Sequence, residues 1–186
     1  PDLDLLPHRD YADYVYLSAD LSDLEGKRYL KIRNYLNKFH KSNEFTVERI
    51  SRVDFDEVRD FLERWCEQKG CGKEPLLQSE NRAVKKALAH FFDLGLQGLA
   101  IRIDGEVEAF SLFEPLDEDS VVIHFEKANQ DFKGIYQAIN NEAARMVRDE
   151  FRFVNRESDM GIKGLRKAKM KYRPHHMVDV FHVKRD

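Results

Sequence analysis

An Asp-Gly pair between two apolar segments is the feature that most limits how this chain folds. Residues 99–103 (LAIRI) and 107–113 (VEAFSLF) are rich in β-branched and aromatic side chains, and Asp104-Gly105 lies between them. Asp-Gly is typical of the tight turns that join antiparallel strands, because these turns need a positive φ. Residues 121–127 (VVIHFEK) follow a polar turn and predict a third strand. The chain therefore contains an antiparallel meander.

Further elements are predicted on both sides of the meander. They are a short strand over 13–16, an amphipathic helix over 27–40, a strand over 45–50, a helix opened by Asp54 and Glu57 and closed by Gly70, a helix capped by Ser79, a helix over 134–148, a strand over 151–155, a basic helix over 162–171 and a closing strand over 177–183. This order predicts an α/β fold with a mixed, mostly antiparallel central sheet flanked by helices.

Charge is segregated along the chain. Residues 26–41 and 161–173 each hold six Lys or Arg and no acid. Because the whole chain has a formal charge of −3, the remaining residues sum to −15. Two acid-free segments in one small protein suggest a polyanionic partner such as tRNA, and Lys27, Lys31 and Lys38 lie opposite the apolar stripe of their helix. The alternative is that these cations pair with the protein's own acids.

Composition excludes several classes of protein. The hydrophobic fraction of 42% is too high for a disordered chain, and no apolar segment approaches the ~20 residues of a membrane-spanning helix. Cys66 and Cys71 are separated by four residues, with no second pair that would complete a zinc site. A disulfide between them is possible but not required. Two thiols and no leader sequence favour a cytoplasmic location.

Three long segments carry a family resemblance. They are DYVYLSADLSDLEGKRYLKIRNYLNKF (13–39), IHFEKANQDFKGIYQAINNEAA (123–144) and FVNRESDMGIKGLRKAKMKYRP (153–174). These segments resemble the signature blocks of a largely uncharacterised bacterial and archaeal family within the Gcn5-related N-acetyltransferase (GNAT) superfamily. That family is grouped with the C-terminal domain of phosphatidylglycerol lysyltransferases, and its members carry two GNAT-like domains in tandem.

The resemblance implies a domain organisation and an activity. Residues 45–186 are expected to form the second GNAT-like domain, residues 1–44 an inter-domain segment with its basic helix, and a first domain is expected to precede this chain. The implied activity is transfer of an acyl or aminoacyl group from aminoacyl-tRNA or acyl-CoA to an amine or hydroxyl of a small molecule, lipid or peptide. The alternative is a non-catalytic module that binds tRNA or another polyanion through its two basic helices.

The donor-binding loop departs from the superfamily pattern. GNAT enzymes hold the pyrophosphate of acetyl-CoA on a glycine-rich loop at a helix N-terminus. The equivalent stretch here, 129–134, has a single glycine, a bulky Phe132 and an acidic Asp131, which puts coenzyme A in doubt. The residues expected to bind a donor or its phosphates are Asn129, Lys133, Gly134, Arg166, Lys167 and Lys169.

Catalytic roles are carried over by position in the fold. Glu126, near the end of the third meander strand, is expected to be the base, in a cleft that lies between it and Asn155. His124, two positions earlier, is expected to share its face of the strand. Asn155 ends the next strand and is expected to hold a carbonyl oxygen. Tyr172 follows the basic helix and is expected to be the general acid. No metal site is expected, because the adjacent His175 and His176 lack a third ligand.

Overall fold

A computed structural model of the chain describes residues 5–183. The nine strands within these residues are β1 (Leu5–Pro7), β2 (Asp13–Leu17), β3 (Thr46–Arg49), β4 (Gln97–Ile103), β5 (Glu106–Pro115), β6 (Ser120–Ala128), β7 (Phe153–Asn155), β8 (His176–Val178) and β9 (Phe181–Val183). The six α-helices of the same region are α1 (Ser18–Asp23), α2 (Leu30–Ser42), α3 (Phe55–Lys69), α4 (Pro75–Ala89), α5 (Ile135–Val147) and α6 (Lys163–Lys171).

Seven strands form one sheet in the order β3-β4-β5-β6-β7-β2-β8. Only the β6–β7 pair of this sheet is parallel, and β1 and β9 form a separate antiparallel ribbon. The predicted meander is β4, β5 and β6. Asp104 and Gly105 have φ values of 53° and 84°, as the tight turn between β4 and β5 requires. The predicted α/β class is confirmed.

Some predicted boundaries are wrong. Helix α3 begins directly after Asp54 and is closed by Gly70, as predicted, but the capping box is formed by Ser51 and Asp54 and belongs to the short 3-10 turn before the helix. Helix α4 begins at Pro75 rather than after Ser79, because proline is well suited to the first turn of a helix. The expected closing strand is two strands, of which β8 extends the main sheet and β9 pairs with β1.

Helices cover the two sides of the sheet unequally. On one side, α1, α2 and α5 bury the first core, which includes Tyr14, Tyr16 and Ile139. On the other side, α3 and α4 bury the second core, which includes Phe61 and Leu88. This second core rests on β4, β5 and the end of β6. The part of that side formed by β7, β2, β8 and the start of β6 lies beyond the second core, and we call it the open face.

Residues 5–44 do not stand apart from the rest of the described chain. Strand β2 lies between β7 and β8 in the main sheet, and α2 packs against α5 with Ile32 and Phe39 in the first core. The segment expected to link two domains therefore supplies a strand and two helices to this packing unit. Whether another domain precedes it stays a prediction.

A bulge in β6 decides which side chains reach each side of the sheet. Phe113 pairs with Ile123 and Leu112 pairs with Phe125, so His124 has no partner on β5. Ile123 contributes to the first core, but Phe125 packs against the second. The alternation therefore reverses at His124, and Glu126 lies on the side covered by α5.

Candidate active site

Two polar clusters lie where β6 and β7 end, one on each side of the sheet. The Arg156 cluster, on the covered side, consists of Glu126, Asn140, Arg156, Lys169 and Tyr172. Arg156 Nη2 donates to Glu126 Oε2 at 3.0 Å, and Asn140 Nδ2 of α5 lies 3.4 Å from the same oxygen. The guanidinium carbon is 5.1 Å from the centre of the Tyr172 ring. Glu126 and Tyr172 are thus brought to the same arginine.

This cluster is nearly closed to solvent. The side chains of Glu126 and Arg156 are 11% and 15% exposed, and Tyr172 is buried. Burial raises the pKa of the Tyr172 hydroxyl far above its ordinary value. Glu126 Oε2 already accepts a hydrogen bond from the Arg156 guanidinium. The expected roles of Glu126 as base and Tyr172 as acid are therefore poorly served by this geometry.

The His124 cluster lies on the open face and consists of Asp13, Glu114, His124, Asn155 and Glu157. His124 Nδ1 is 2.9 Å from Glu157 Oε1, and Nε2 is 3.0 Å from Glu114 Oε1. The hydrogen bond with Glu157, followed by burial acting in the opposite direction and by the bond with Glu114, raises the pKa of His124. The expectation that His124 and Glu126 share a face is wrong because of the bulge.

Asn155 belongs to the open face and not to the Arg156 cluster. Its Oδ1 accepts the backbone N–H of Glu157 at 2.7 Å, and its Nδ2 donates to Asp13 Oδ2 at 3.0 Å. The amide that was expected to hold a substrate carbonyl is therefore engaged by the protein's own groups. Glu126 and Asn155, expected to flank one cleft, lie on opposite sides of the sheet.

Two grooves flank these residues. One, of about 540 Å³, is lined by residues that include Asn155, Phe153, His176 and Asp119. The other, of about 530 Å³, is lined by residues that include Asp13 and Glu157. Both grooves lie on the open face, and carboxylates line both of them.

The expected donor loop is closed by α2. Gly134 precedes α5 with a φ of 102°, and a Cβ added there would collide with the carbonyl oxygen of Tyr35. Asn129 Nδ2 donates to Glu108 at 2.9 Å, and Asn129 Oδ1 accepts the N–H of Asp131 at 3.1 Å. Lys133 is exposed. This flank of the α5 N-terminus is thus occupied by protein.

Some cationic side chains of the basic helix α6 bind groups of the protein, and others face solvent. Arg166 binds both carboxylate oxygens of the buried Asp159 at 2.8 Å and binds Asp10 at 2.6 Å. These bonds hold the pKa of Asp159 well below its ordinary range. Lys169 is buried, and Lys167 is exposed. Arg166 and Lys169, expected at a phosphate, are therefore engaged within the protein.

The cations of α2 and the turn before it face solvent. Lys27, Lys31 and Lys38 are exposed, and within residues 5–183 none of them forms an ion pair. Leu36 and Phe39 pack on the opposite, apolar stripe of the helix. The expected polarity of this helix is confirmed, whereas its partner stays a prediction.

Sequence reasoning missed the central residues of both clusters. Arg156 and Glu157 were visible only as polar residues after a strand, and Glu114 and Asn140 carried no signal. Predicting their contacts requires the position of the β6 bulge, which a single sequence does not reveal. Cys66 and Cys71, for which the sequence leaves a disulfide open, form one, with their Cα atoms 5.1 Å apart.

Comparison with known proteins places the chain in a family. The family described as "Phosphatidylglycerol lysyltransferase, C-terminal" matches residues 2–184. The chain belongs to this family. A conserved protein of unknown function from Bacteroides thetaiotaomicron, whose structure is solved, is 33% identical to this chain. The two superpose with a TM-score of 0.93, over 96% of this chain and 61% of that one. An uncharacterized protein of Mycoplasmoides gallisepticum is 25% identical over 95% of this chain and 57% of its own length.

Structures of lower sequence identity show the fold of this chain. L-PGS from Bacillus licheniformis superposes with a TM-score of 0.67 at 15% identity, over 96% of this chain and 60% of that one. A ribosomal-protein-alanine N-acetyltransferase from Brucella melitensis superposes with a TM-score of 0.53 at 15% identity, over 77% of this chain and 100% of that one. The expected GNAT-like fold is thus confirmed. The chain spans about three-fifths of the length of its first relatives.

Two features are absent from residues 5–183. Within that range no helix has both the length and the apolar character needed to cross a membrane. The same residues contain no group of three His, Cys, Asp or Glu side chains placed to hold a metal ion.

Proposed function

We propose that this domain transfers an aminoacyl group from aminoacyl-tRNA to a hydroxyl or amine acceptor bound on the open face. Membership in the lysyltransferase family and the GNAT-like fold support group transfer. The observation that carries the proposal is the His124 cluster, in which a histidine is bound by two carboxylates and one of them, Glu157, lines a groove. This is the combination that general base catalysis needs.

Two contacts argue against coenzyme A as the donor. The carbonyl of Tyr35 fills the space beside Gly134, where a GNAT enzyme would bind the pyrophosphate. The opening between β6 and β7 is crossed on the covered side by the ion pair of Arg156 and Glu126. A donor that approaches from the open face avoids both contacts, and an aminoacyl ester on the end of a tRNA fits that requirement.

His124 is the proposed base. Glu157 holds Nδ1, which orients the ring as the acid of a catalytic triad does. In the free protein the carboxylate of Glu114 lies at Nε2, so the acceptor must displace it before Nε2 can act as the base. Nε2 would accept the acceptor's proton while its oxygen or nitrogen attacks the ester carbonyl carbon. The ester C–O bond to the terminal ribose then breaks, and the ribose oxygen takes the proton back from the imidazolium.

The acidic lining of the grooves favours a cationic aminoacyl group. Asp13, Glu157 and Asp119 line the two grooves. An ammonium group gains from such carboxylates, whereas an acidic or apolar aminoacyl group does not. The lysyl group in the family's name has this charge. Its lipid, phosphatidylglycerol, offers hydroxyl acceptors, and small molecules and peptides are the competing acceptor classes.

Transfer assays with the 186-residue chain test the proposal. Lysyl-tRNA, alanyl-tRNA and acetyl-CoA are supplied separately with phosphatidylglycerol vesicles, glycerol or a lysine-containing peptide. We expect loss of the aminoacyl ester from lysyl-tRNA and no thiol release from acetyl-CoA. His124→Asn and Glu157→Gln should reduce transfer by about 10²-fold or more, the range of a general base. His90→Asn and Glu106→Gln, at exposed sites on the α3–α4 side, are the matched controls. Thiol release without tRNA deacylation would refute the proposal.

A second candidate function is binding of tRNA or another polyanion without catalysis. It is favoured by the exposed Lys27, Lys31 and Lys38, which have no ion-pair partner among the described residues. Replacing all three with Ala should weaken tRNA binding and lower the slope of log affinity against log salt by about 3. The control variant replaces the exposed cations Lys73, Arg82 and Lys86. Equal effects of both triple variants would contradict a specific surface on α2.

A further inference from the structure

The backbone at Glu157 is unusual for a residue with a side chain. Glu157 lies two residues after the end of β7 and has a φ of 56°, in the left-handed region that favours glycine. A non-glycine residue persists there only when its surroundings hold it, and such residues cluster at functional sites. The side chain of Glu157 is also the one that reaches His124 Nδ1, at 2.9 Å. The unusual backbone and the contact with the proposed base thus belong to one residue.

Hydrogen bonds fix this peptide on both sides. Asn155 Oδ1 accepts the N–H of Glu157 at 2.7 Å. The carbonyl of Glu157 accepts the N–H of Tyr14 at 3.2 Å and lies 3.3 Å from Lys169 Nζ. Lys169 Nζ also donates to the carbonyl of Arg156. The two carbonyls that flank the turn are therefore both bound to one ammonium group.

Burying the ammonium group of Lys169 costs free energy, because the charge leaves water. Its nearest partners are peptide carbonyls, and no ion pair involving it occurs within residues 5–183. Burial, followed by the nearby charge of Arg156, lowers the pKa of Lys169 to about 8, although the carboxylates of Glu126, Glu157 and Asp13 oppose this. A neutral side chain would fill this space at lower cost, so the ammonium is best explained by what it holds.

We propose that Lys169 and Asn155 are positioning residues that hold Glu157 in its left-handed conformation, with its carboxylate on His124. Asn155 acts from the open face, where Asp13 orients its amide at 3.0 Å. Lys169 acts from the covered side, and its Nζ lies 5.7 Å from the centre of the Tyr14 ring. Asn155 of β7 and Lys169 of α6 thus hold the Glu157 turn from the two sides of the sheet, where the two clusters meet. We call this pair of contacts the clamp. The consequence for transfer rests on the proposed function, whereas the clamp itself does not.

The pKa of His124, measured by NMR titration of the 186-residue chain, tests the clamp without any substrate. The His124 signal is assigned by its loss in His124→Asn. Lys169→Met should lower the pKa of His124 by about 0.5 unit or more, because Glu157 then leaves Nδ1. Glu157→Gln should produce a shift of the same sign and at least the same size. The control is Lys127→Met, which removes another buried lysine whose partners are Glu80 and Trp65.

Asn155→Ala is the second variant if Lys169→Met does not fold. It should also lower the pKa of His124, since it frees the N–H of Glu157. In transfer assays both variants should reduce kcat about tenfold with little change in KM, and Lys169→Arg should restore part of kcat. A folded Lys169→Met or Asn155→Ala whose His124 pKa equals that of the wild type would overturn the clamp. If the wild type transfers nothing, the proposed function fails while the titration still decides the clamp.

Discussion

The Arg156 cluster and the His124 cluster occupy the same position along the sheet and differ in their surroundings. Both contain a carboxylate bound to a basic side chain, at 3.0 Å for Glu126 with Arg156 and 2.9 Å for Glu157 with His124. The Arg156 pair is buried under α5, whereas Glu157 is 46% exposed beside a groove. One pair is therefore part of the core, and the other is available to a substrate.

This difference shows how a single bulge assigns two roles to neighbouring residues. His124 and Glu126 are two positions apart and would share a face in a regular strand. The unpaired His124 reverses the alternation, so that Glu126 enters the packed side. A residue's proximity in sequence to a strand end thus says little about its access to substrate. The variants that follow test the assigned roles, from the largest expected effect to the smallest.

Removing the charge of Glu126 should cause the largest loss of stability. Glu126→Gln leaves Arg156 buried without its counter-charge, and breaking a buried pair in this way costs about 3–5 kcal/mol. Urea unfolding monitored by circular dichroism measures the change. Glu157→Gln, at the exposed cluster, should change the free energy of unfolding by less than about 1 kcal/mol. Equal losses in the two variants would show that the two clusters have the same structural role.

The double variant Glu126→Leu with Arg156→Met sharpens this test. Replacing both members of a buried pair with apolar side chains is often neutral or stabilising. We expect the double variant to recover most of the stability that Glu126→Gln loses. If it is as unstable as the single variant, the cluster contributes through its hydrogen-bond geometry rather than through charge balance.

The fold was predictable where local rules determine it. The meander follows from Asp104-Gly105, and the amphipathic α2 follows from the spacing of Ile32, Leu36 and Phe39. The insertion of β2 between β7 and β8 was not predictable, because it pairs residues about 140 positions apart. Periodicity reports which side of an element is buried and carries no information on which strand lies beside it.

The candidate site was predictable only in part, for the same reason. Glu126, Tyr172 and Asn155 were each placed correctly near the ends of β6, α6 and β7. Which of them face one another depends on the bulge at His124 and on the positive φ of Glu157. Both features arise from tertiary hydrogen bonds, and neither residue type announces them in the sequence.

Gly134→Ala tests the closure of the covered side. Its positive φ and the adjacent carbonyl of Tyr35 leave no room for a Cβ, so α2 must shift away from α5. Strain of this kind costs about 1–3 kcal/mol, measurable as a lower urea midpoint. Gly164→Ala in α6 is the matched control, since nothing lies within 4 Å of its Cβ position. It should be neutral or stabilising by up to about 1 kcal/mol. An equally stable Gly134→Ala would show that α2 does not seal this helix end.

The smallest effect, and the one that separates the clusters by pH, comes from His124. Its pKa is raised above the ordinary value of 6.5, chiefly by Glu157, so the protonated ring stabilises the fold. That contribution is complete below pH 6.5 and is lost as the pH rises through the folded pKa. Transfer should change in the opposite direction over the same range, because the proposed base must be unprotonated. Urea unfolding and initial transfer rates at pH 6 to 9 measure both, and Glu157→Gln should move both transitions to lower pH. A transfer profile that stays in place while the stability profile moves would separate His124 from the chemistry and leave Glu157 with a structural role alone.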